Sequence, residues 1–173
     1  MKATLIVEGK EFPIEIQDPE LQKLLTPQKK TGYERVEEAS RYYYVNTSGF
    51  VEEAFEDYDG FDDDAYNTAN YYSSDKVAQN NARADKLMRQ LRRFAVENGG
   101  IPSINDWKNN KEFRDSFWFI TYDYPNEKLS LLEARYVKHF GVIYFNSKES
   151  AQKAIDTFHD ELIWYFTEYK DSL

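Results

Sequence analysis

Tyr71–Phe94 reads YYSSDKVAQNNARADKLMRQLRRF, and from Tyr144 the chain states the same pattern again as YFNSKESAQKAIDTFHDELIWYF. With Tyr71-Tyr72 laid on Tyr144-Phe145, Ser74 falls on Ser147 and Ala78-Gln79 falls on Ala151-Gln152. Each copy is an aromatic pair, a group of helix-capping residues and then an amphipathic helix. In the first helix Ala84, Leu87, Met88, Leu91, Phe94 and Ala95 recur at three- and four-residue steps, the stripe of a helix with one face on a core. Asn98-Gly99-Gly100 is its stop. The second stripe is Ala151, Ala154, Ile155, Phe158, Leu162, Tyr165, Phe166 and Tyr169.

Three strands are expected ahead of each helix. In the first copy they are Tyr42–Val45, Phe50–Phe55 across the Asn46–Gly49 turn, and Ala69–Tyr72. Ser73 or Ser74 would cap the helix that follows. In the second copy the strands are Ser116–Tyr122, Leu129–Tyr136 across the Tyr124-Pro125-Asn126 turn, and Gly141–Phe145, with Asn146 or Ser147 as the cap. The LLEAR stretch inside Leu129–Tyr136 is also compatible with a helix.

The fold class is therefore α+β, with two tandem strand-strand-strand-long-helix units packed together. Their sheets are expected to join or lie side by side, with both helices on one face. The units span residues 41–100 and 101–173. Before them, residues 1–25 read as a β-hairpin with an edge-strand Pro13 and a short helix opened by Asp18-Pro19 and ended by Thr26-Pro27. Residues 26–40 are a connector.

Composition narrows the function classes. The 173 residues include 41% hydrophobic and 17% aromatic side chains, with 14 Tyr and no Cys. The aromatics supply packing area that a mean hydropathy of −0.78 understates. Without Cys there is neither a disulfide framework nor a thiolate metal site. No apolar run approaches a membrane span, and Glu8 interrupts any leader-like stretch, so a cytoplasmic protein without a membrane partner is expected. Neither GxGxxG nor GxxxxGK[ST] occurs, and His139 and His159 lack the context of a catalytic triad or a metal phosphohydrolase. No catalytic residue, no metal ligand and no cofactor is assigned.

Charge is distributed unevenly. The net value is −9, yet residues 51–75 carry nine acids and no base, while residues 76–114 carry nine Lys or Arg against four acids. Glu52, Glu53, Glu56, Asp57, Asp59, Asp62, Asp63 and Asp64, interleaved with Tyr58 and Phe61, read as an acidic loop. Closely spaced carboxylates beside aromatic rings resemble phosphates beside bases, which suits a partner that normally binds nucleic acid. A solvated loop and a hard-cation site, the latter serving a metal-dependent enzyme, are the other readings, although the spacing around Gly60 fails the EF-hand pattern. Charge reversal at Asp62, Asp63 and Asp64 is expected to remove binding and leave the fold intact. The alternative interface is the polar face of the first helix, where Arg83, Lys86, Arg89, Arg92 and Arg93 would lie along a nucleic-acid backbone. Strand aromatics leave a homodimer open.

Five stretches carry a resemblance: MKATLIVEGKEFPIEI at the N-terminus, TGYERVEE followed by YYYVN between Thr31 and Asn46, YNTANYYSSDKVAQ, LRRFAVEN and GVIYFNSKESAQKAI. In these the chain resembles small proteins encoded by phages and integrated mobile elements of Gram-positive bacteria. None of the stretches is a catalytic motif. Some small acidic phage proteins block host defence machinery, CRISPR nucleases included. The resemblance thus implies a non-enzymatic inhibitor whose partner is a host defence protein.

Overall fold

The computed structural model of the protein describes residues 2–25, 30–110 and 115–170, which fall into two compact units divided after Thr31. The first unit contains the antiparallel hairpin β1 (Lys2–Val7) and β2 (Lys10–Glu15), then α1 (Pro19–Leu25). Asp18 caps α1, its Oδ1 accepting the amide hydrogens of Glu20 at 2.8 Å and Leu21 at 3.2 Å. Pro13 stands opposite Thr4 in a two-stranded ladder, where each strand has a free edge and a missing donor is tolerated. The Thr26-Pro27 stop lies outside the described residues.

The second unit is α+β and carries the repeat. Its first hairpin pairs β3 (Arg41–Val45) with β4 (Val51–Phe55), and α2 (Gly60–Asn67) and α3 (Asp75–Glu97) follow. Then come α4 (Ile104–Asn109), a second hairpin of β5 (Phe117–Asp123) and β6 (Lys128–Ala134), α5 (Lys148–Thr157) and α6 (His159–Thr167). The LLEAR stretch is strand up to Ala134.

Alternation along a strand gives each hairpin two faces, and both are used. Tyr43, Val45 and Val51 join Tyr72, Val77 and Ala78 beneath α3, whereas Tyr42, Tyr44 and Ala54 meet Ala65 of α2 and Tyr71. In the second hairpin Trp118, Ile120, Leu129 and Leu131 face the helices, and Phe117, Phe119 and Ala134 meet Tyr144 and Trp107 of α4. Leu87, Leu91 and Ala95, in the C-terminal half of α3, pack with Phe145, Ala151, Ala154, Ile155 and Leu162. One helix therefore serves its own hairpin with its first turns and the second copy's core with its last.

The repeat extends to single hydrogen bonds. Tyr43 and Tyr72 exchange backbone hydrogen bonds at 2.8 Å, and Trp118 and Phe145 do the same at 2.8 and 2.9 Å. The Ser73 amide donates to the Gly32 carbonyl, and the equivalent Asn146 amide donates to the Gly100 carbonyl. Both glycines have positive φ, +96° and +90°, a region that L side chains avoid.

Three expectations need correction. Ala69–Tyr72 and Gly141–Phe145 are not strands but single antiparallel bridges, so each copy has a two-stranded sheet with one contact beside it, and the two sheets do not join. Only one residue of each aromatic pair meets the hairpin backbone, while its neighbour, Tyr71 or Tyr144, turns into the opposite layer. The second long helix is broken at Phe158. There the Thr157 hydroxyl donates to the Lys153 carbonyl at 2.7 Å, a back-bond that bends helices, and the Phe158 ring packs edge-on against Phe94 at 5.6 Å. The capping serines also diverge. Ser147 accepts from the Ser150 amide at 3.1 Å, but Ser74 makes no such bond, and the Ser73 hydroxyl donates instead to Glu34 at 3.0 Å.

Candidate partner-binding face

The acidic segment is not a loop. After β4 the chain makes one turn and enters α2, whose start is a reciprocal capping box. Asp59 Oδ1 accepts from the amides of Phe61 at 2.8 Å and Asp62 at 3.0 Å, and Asp62 Oδ2 accepts from the Asp59 amide at 3.4 Å. Carboxylates in a first turn are also favoured by the positive end of the helix dipole. A run of Asp, a poor interior helix former, thus becomes a helix because its acids sit where a helix begins.

Two of the acids point inward. Glu56 is 0% and Asp62 3% exposed. Glu56 receives a two-pronged bond from Arg35 (Nε–Oε2 3.1 Å, Nη2–Oε1 2.8 Å), the Tyr71 hydroxyl at 2.7 Å and the Tyr58 amide at 3.0 Å. Asp62 accepts from the Tyr42 hydroxyl at 2.7 Å and the Asp57 amide at 2.7 Å. Arg35 also reaches Asp63 at 2.7 Å and lies between the rings of Tyr58 (4.8 Å) and Tyr66 (5.5 Å). Tyr42 and Tyr71 stack at 4.1 Å between the two carboxylates.

The titration behaviour follows from these partners. The Arg35 guanidinium, and then the Tyr71 hydroxyl, hold Glu56 below its usual range against the cost of burial. Burial pushes Asp62 upward, but the Tyr42 hydroxyl with the Asp57 and Asp59 amides outweighs it and keeps that carboxyl low as well. Burial, reinforced by the carboxylates, pushes both Tyr42 and Tyr71 up. Glu56 and Asp62 are thus fixed as anions well below neutral pH, which suits a structural lock better than a proton shuttle. The lock ties α2 to β3, to the residue after β4 and to the segment ahead of the hairpin.

The remaining acids look outward. Glu53 pairs with Arg41 at 3.1 Å, and Glu52 accepts from the Tyr44 hydroxyl at 2.7 Å and the Asn46 amide group at 2.6 Å. Asp59 caps α2 and Asp63 leans on Arg35, while Asp57 and Asp64 make no side-chain hydrogen bond or ion pair among the described residues. Tyr58 and Phe61 are each 52% exposed and Tyr66 is 42% exposed. Phe61 rests edge-on against Tyr44 at 5.2 Å, so it is held in place although half in water. Tyr58 has φ +54°, a strained setting for an aromatic residue, and the Glu56 carboxylate bonding its amide holds it there. The outcome is a rigid outer face of aromatic rings and carboxylates.

Sequence reasoning missed Arg35, which it left inside the connector. No local pattern marks an arginine whose carboxylate partner is 21 residues away. Asp59-Gly60-Phe61-Asp62 followed by Ala65 did hold a legible capping signal. Among the described residues, no three His, Asp or Glu side chains gather as a metal-ligand set, and no helix is long and apolar enough to cross a membrane.

The basic face of α3 is exposed at Arg83, Lys86, Arg89, Arg92 and Arg93, but it is not uniform. Arg83 grips Glu161 with two bonds (2.8 and 3.1 Å) and stacks 3.9 Å over Trp164, fastening α3 to α6. Arg93 approaches Glu97 at 4.0 Å, and the Arg89 guanidinium reaches the Gly49 turn. Lys86 and Arg92 make no ion pair among the described residues. Of the two histidines, His139 donates its amide to Tyr144 at 2.9 Å and His159 sits 3.1 Å from Asp160 on the surface.

Comparison of the chain with protein-family models, with curated proteins and with solved structures found no match.

Proposed function

We propose that the protein is a phage- or mobile-element-encoded, non-enzymatic binding protein that inhibits a host defence factor, a CRISPR nuclease being the type of target. It would act by occlusion, the α2 face entering a basic channel built for nucleic acid. The observation that carries this reading is the outer face itself: Tyr58, Phe61 and Tyr66 stand half in water beside Asp57, Asp59, Asp63 and Asp64, on a helix locked from beneath. Rings supply apolar anchors at small entropic cost, and the acids steer a basic partner toward them. A held array also avoids the ordering cost that a flexible acidic loop would carry.

Burial of Glu56 and Asp62 changes how the reading is tested. Reversal of Asp62, Asp63 and Asp64 together would break the capping box and the Tyr42 bond, so lost binding would report lost structure. Asp57→Lys with Asp64→Lys alters the face alone. The first experiment is capture of partners from lysate of a defence-bearing host, with half the sample treated with nuclease. A protein partner retained after treatment, and lost by the Asp57/Asp64 variant, supports the proposal. Capture that disappears with nuclease favours the second reading, a nucleic-acid accessory protein using α3, on which Lys86, Arg89 and Arg92 make no ion pair among the described residues.

A further inference from the structure

A concave feature shares no lining residue with the acidic face. Between the C-terminal half of α3, β5 and α6 is a half-open cavity of about 360 Å³, at the lower end of the ~300–1,000 Å³ of small-molecule sites. Its walls are Leu87, Met88, Leu91, Ile120, Ile143 and Phe166 with their apolar neighbours, and the one hydroxyl in the lining belongs to Tyr165. No charged side chain lines it.

The mouth is formed by the segment after β6. Phe140 reaches the cavity edge yet is 106% exposed, as open to water as in an unfolded chain. A whole apolar ring in water beside an apolar hollow leaves a driving force unsatisfied. Gly141 follows at φ +77°, a backbone setting that L side chains avoid. Residues 135–139 bring Arg135, Lys138 and His139 and no acid, in a molecule of net charge −9. Arg135 is engaged by Glu133 at 3.0 Å, and the His139 ring lies 6.0 Å from Phe119 on the other face of the hairpin. Lys138, two residues before Phe140, makes no ion pair among the described residues.

We infer that this cavity binds one single-chain anionic amphiphile of the fatty-acid type, taken from solution. The aliphatic chain fills the hollow, the acid group meets Lys138, and Phe140 folds down over the chain. The lining rejects a charged tail, the size admits one chain, and Lys138, two residues from Phe140, makes no ion pair among the described residues. This site is independent of the α2 face and stands or falls separately from it.

The test is calorimetry and native mass measurement of the full chain with dodecanoate and dodecylammonium below their micellar concentrations and dodecanol below its solubility limit. Dodecanoate should bind one to one and more tightly than the other two. Met88→Trp, which fills the cavity from its half-buried rim, should weaken it at least about tenfold. Ile143→Trp serves the same purpose if Met88→Trp fails to fold. Lys138→Glu should remove the preference for the acid at a cost of up to about fivefold. Several results would overturn the inference: no saturable binding, binding that survives both tryptophans, or dodecylammonium binding as tightly as dodecanoate. So would attachment to anionic vesicles that ignores Met88→Trp, or a dimer, dissolved by Phe140→Ala, in which a second copy occupies the cavity.

Discussion

Glu56 and Asp62 show how much a buried carboxylate can organise when each of its oxygens is hydrogen-bonded. Each receives at least one hydroxyl and one backbone amide, and Glu56 also takes the paired nitrogens of Arg35. Glu56→Gln removes the charge from a site built for it, and a loss of about 2–3 kcal/mol in urea unfolding is expected, the scale of a hydrogen bond to a charged group. The pH dependence has a definite sign. Both carboxyls are held below their ordinary values of 4.5 and 3.8 when folded. Their contribution is complete above those values and disappears as pH falls through the lower folded ones, because the unfolded chain takes up protons first. Thermal unfolding should therefore show a plateau at neutral pH and an acid limb beginning below about pH 4.5, shallower in Glu56→Gln. At the alkaline end burial pushes Tyr72 up to about 12, so stability present below pH 10 is lost as pH rises toward that value. A melting curve unchanged between pH 6 and pH 3 would contradict the lock.

The legible elements were those whose pattern is local. The α3 stripe, its stop at Asn98 and the β3–β4 turn could be read directly, since periodicity and turn chemistry lie within a few residues of each other. α2 was not, because three consecutive aspartates read as solvated chain unless Asp59 and Asp62 are recognised as a cap. The bridges at Tyr72 and Phe145 were mistaken for strands because an aromatic pair is equally at home in either. Nothing in the sequence shows that Glu56 meets Arg35, so two of the acids placed on the face proved to lie beneath it. Gly32 is a sharper case: its carbonyl holds Ser73 at the entrance to α3, and it looks like any loop glycine. A Cβ built there would lie 2.6 Å from Val77 Cγ2, with φ at +96°. Gly32→Ala should cost about 2–3 kcal/mol from strain and overpacking together. Gly60→Ala, with no atom within 4 Å of its Cβ and no positive φ, should be nearly silent. Equal unfolding midpoints for the two variants would refute the close approach.

Across the second unit, the two halves share a layout and differ in what covers their outer faces. Both copies keep a hairpin, one bridge to an aromatic, a glycine carbonyl hydrogen-bonded at the cap and a helix on the hairpin's inner face. They differ on the outer face, where the first copy has α2 with its anions and the second has α4 and an apolar layer around Tyr144. The acidic surface belongs to the first copy, anchored by Arg35, Glu56 and Asp62 together with Tyr71, the position that Tyr144 fills in the second. Its proposed role as a docking face for a basic channel is the central claim. The most direct measurement is partner capture by Asp57→Lys/Asp64→Lys/Phe61→Ser beside the unaltered protein, after nuclease treatment and with matched circular dichroism. The account predicts that the unaltered protein retains a protein partner and that the variant, still folded, loses it. Undiminished capture by the folded variant would contradict the account.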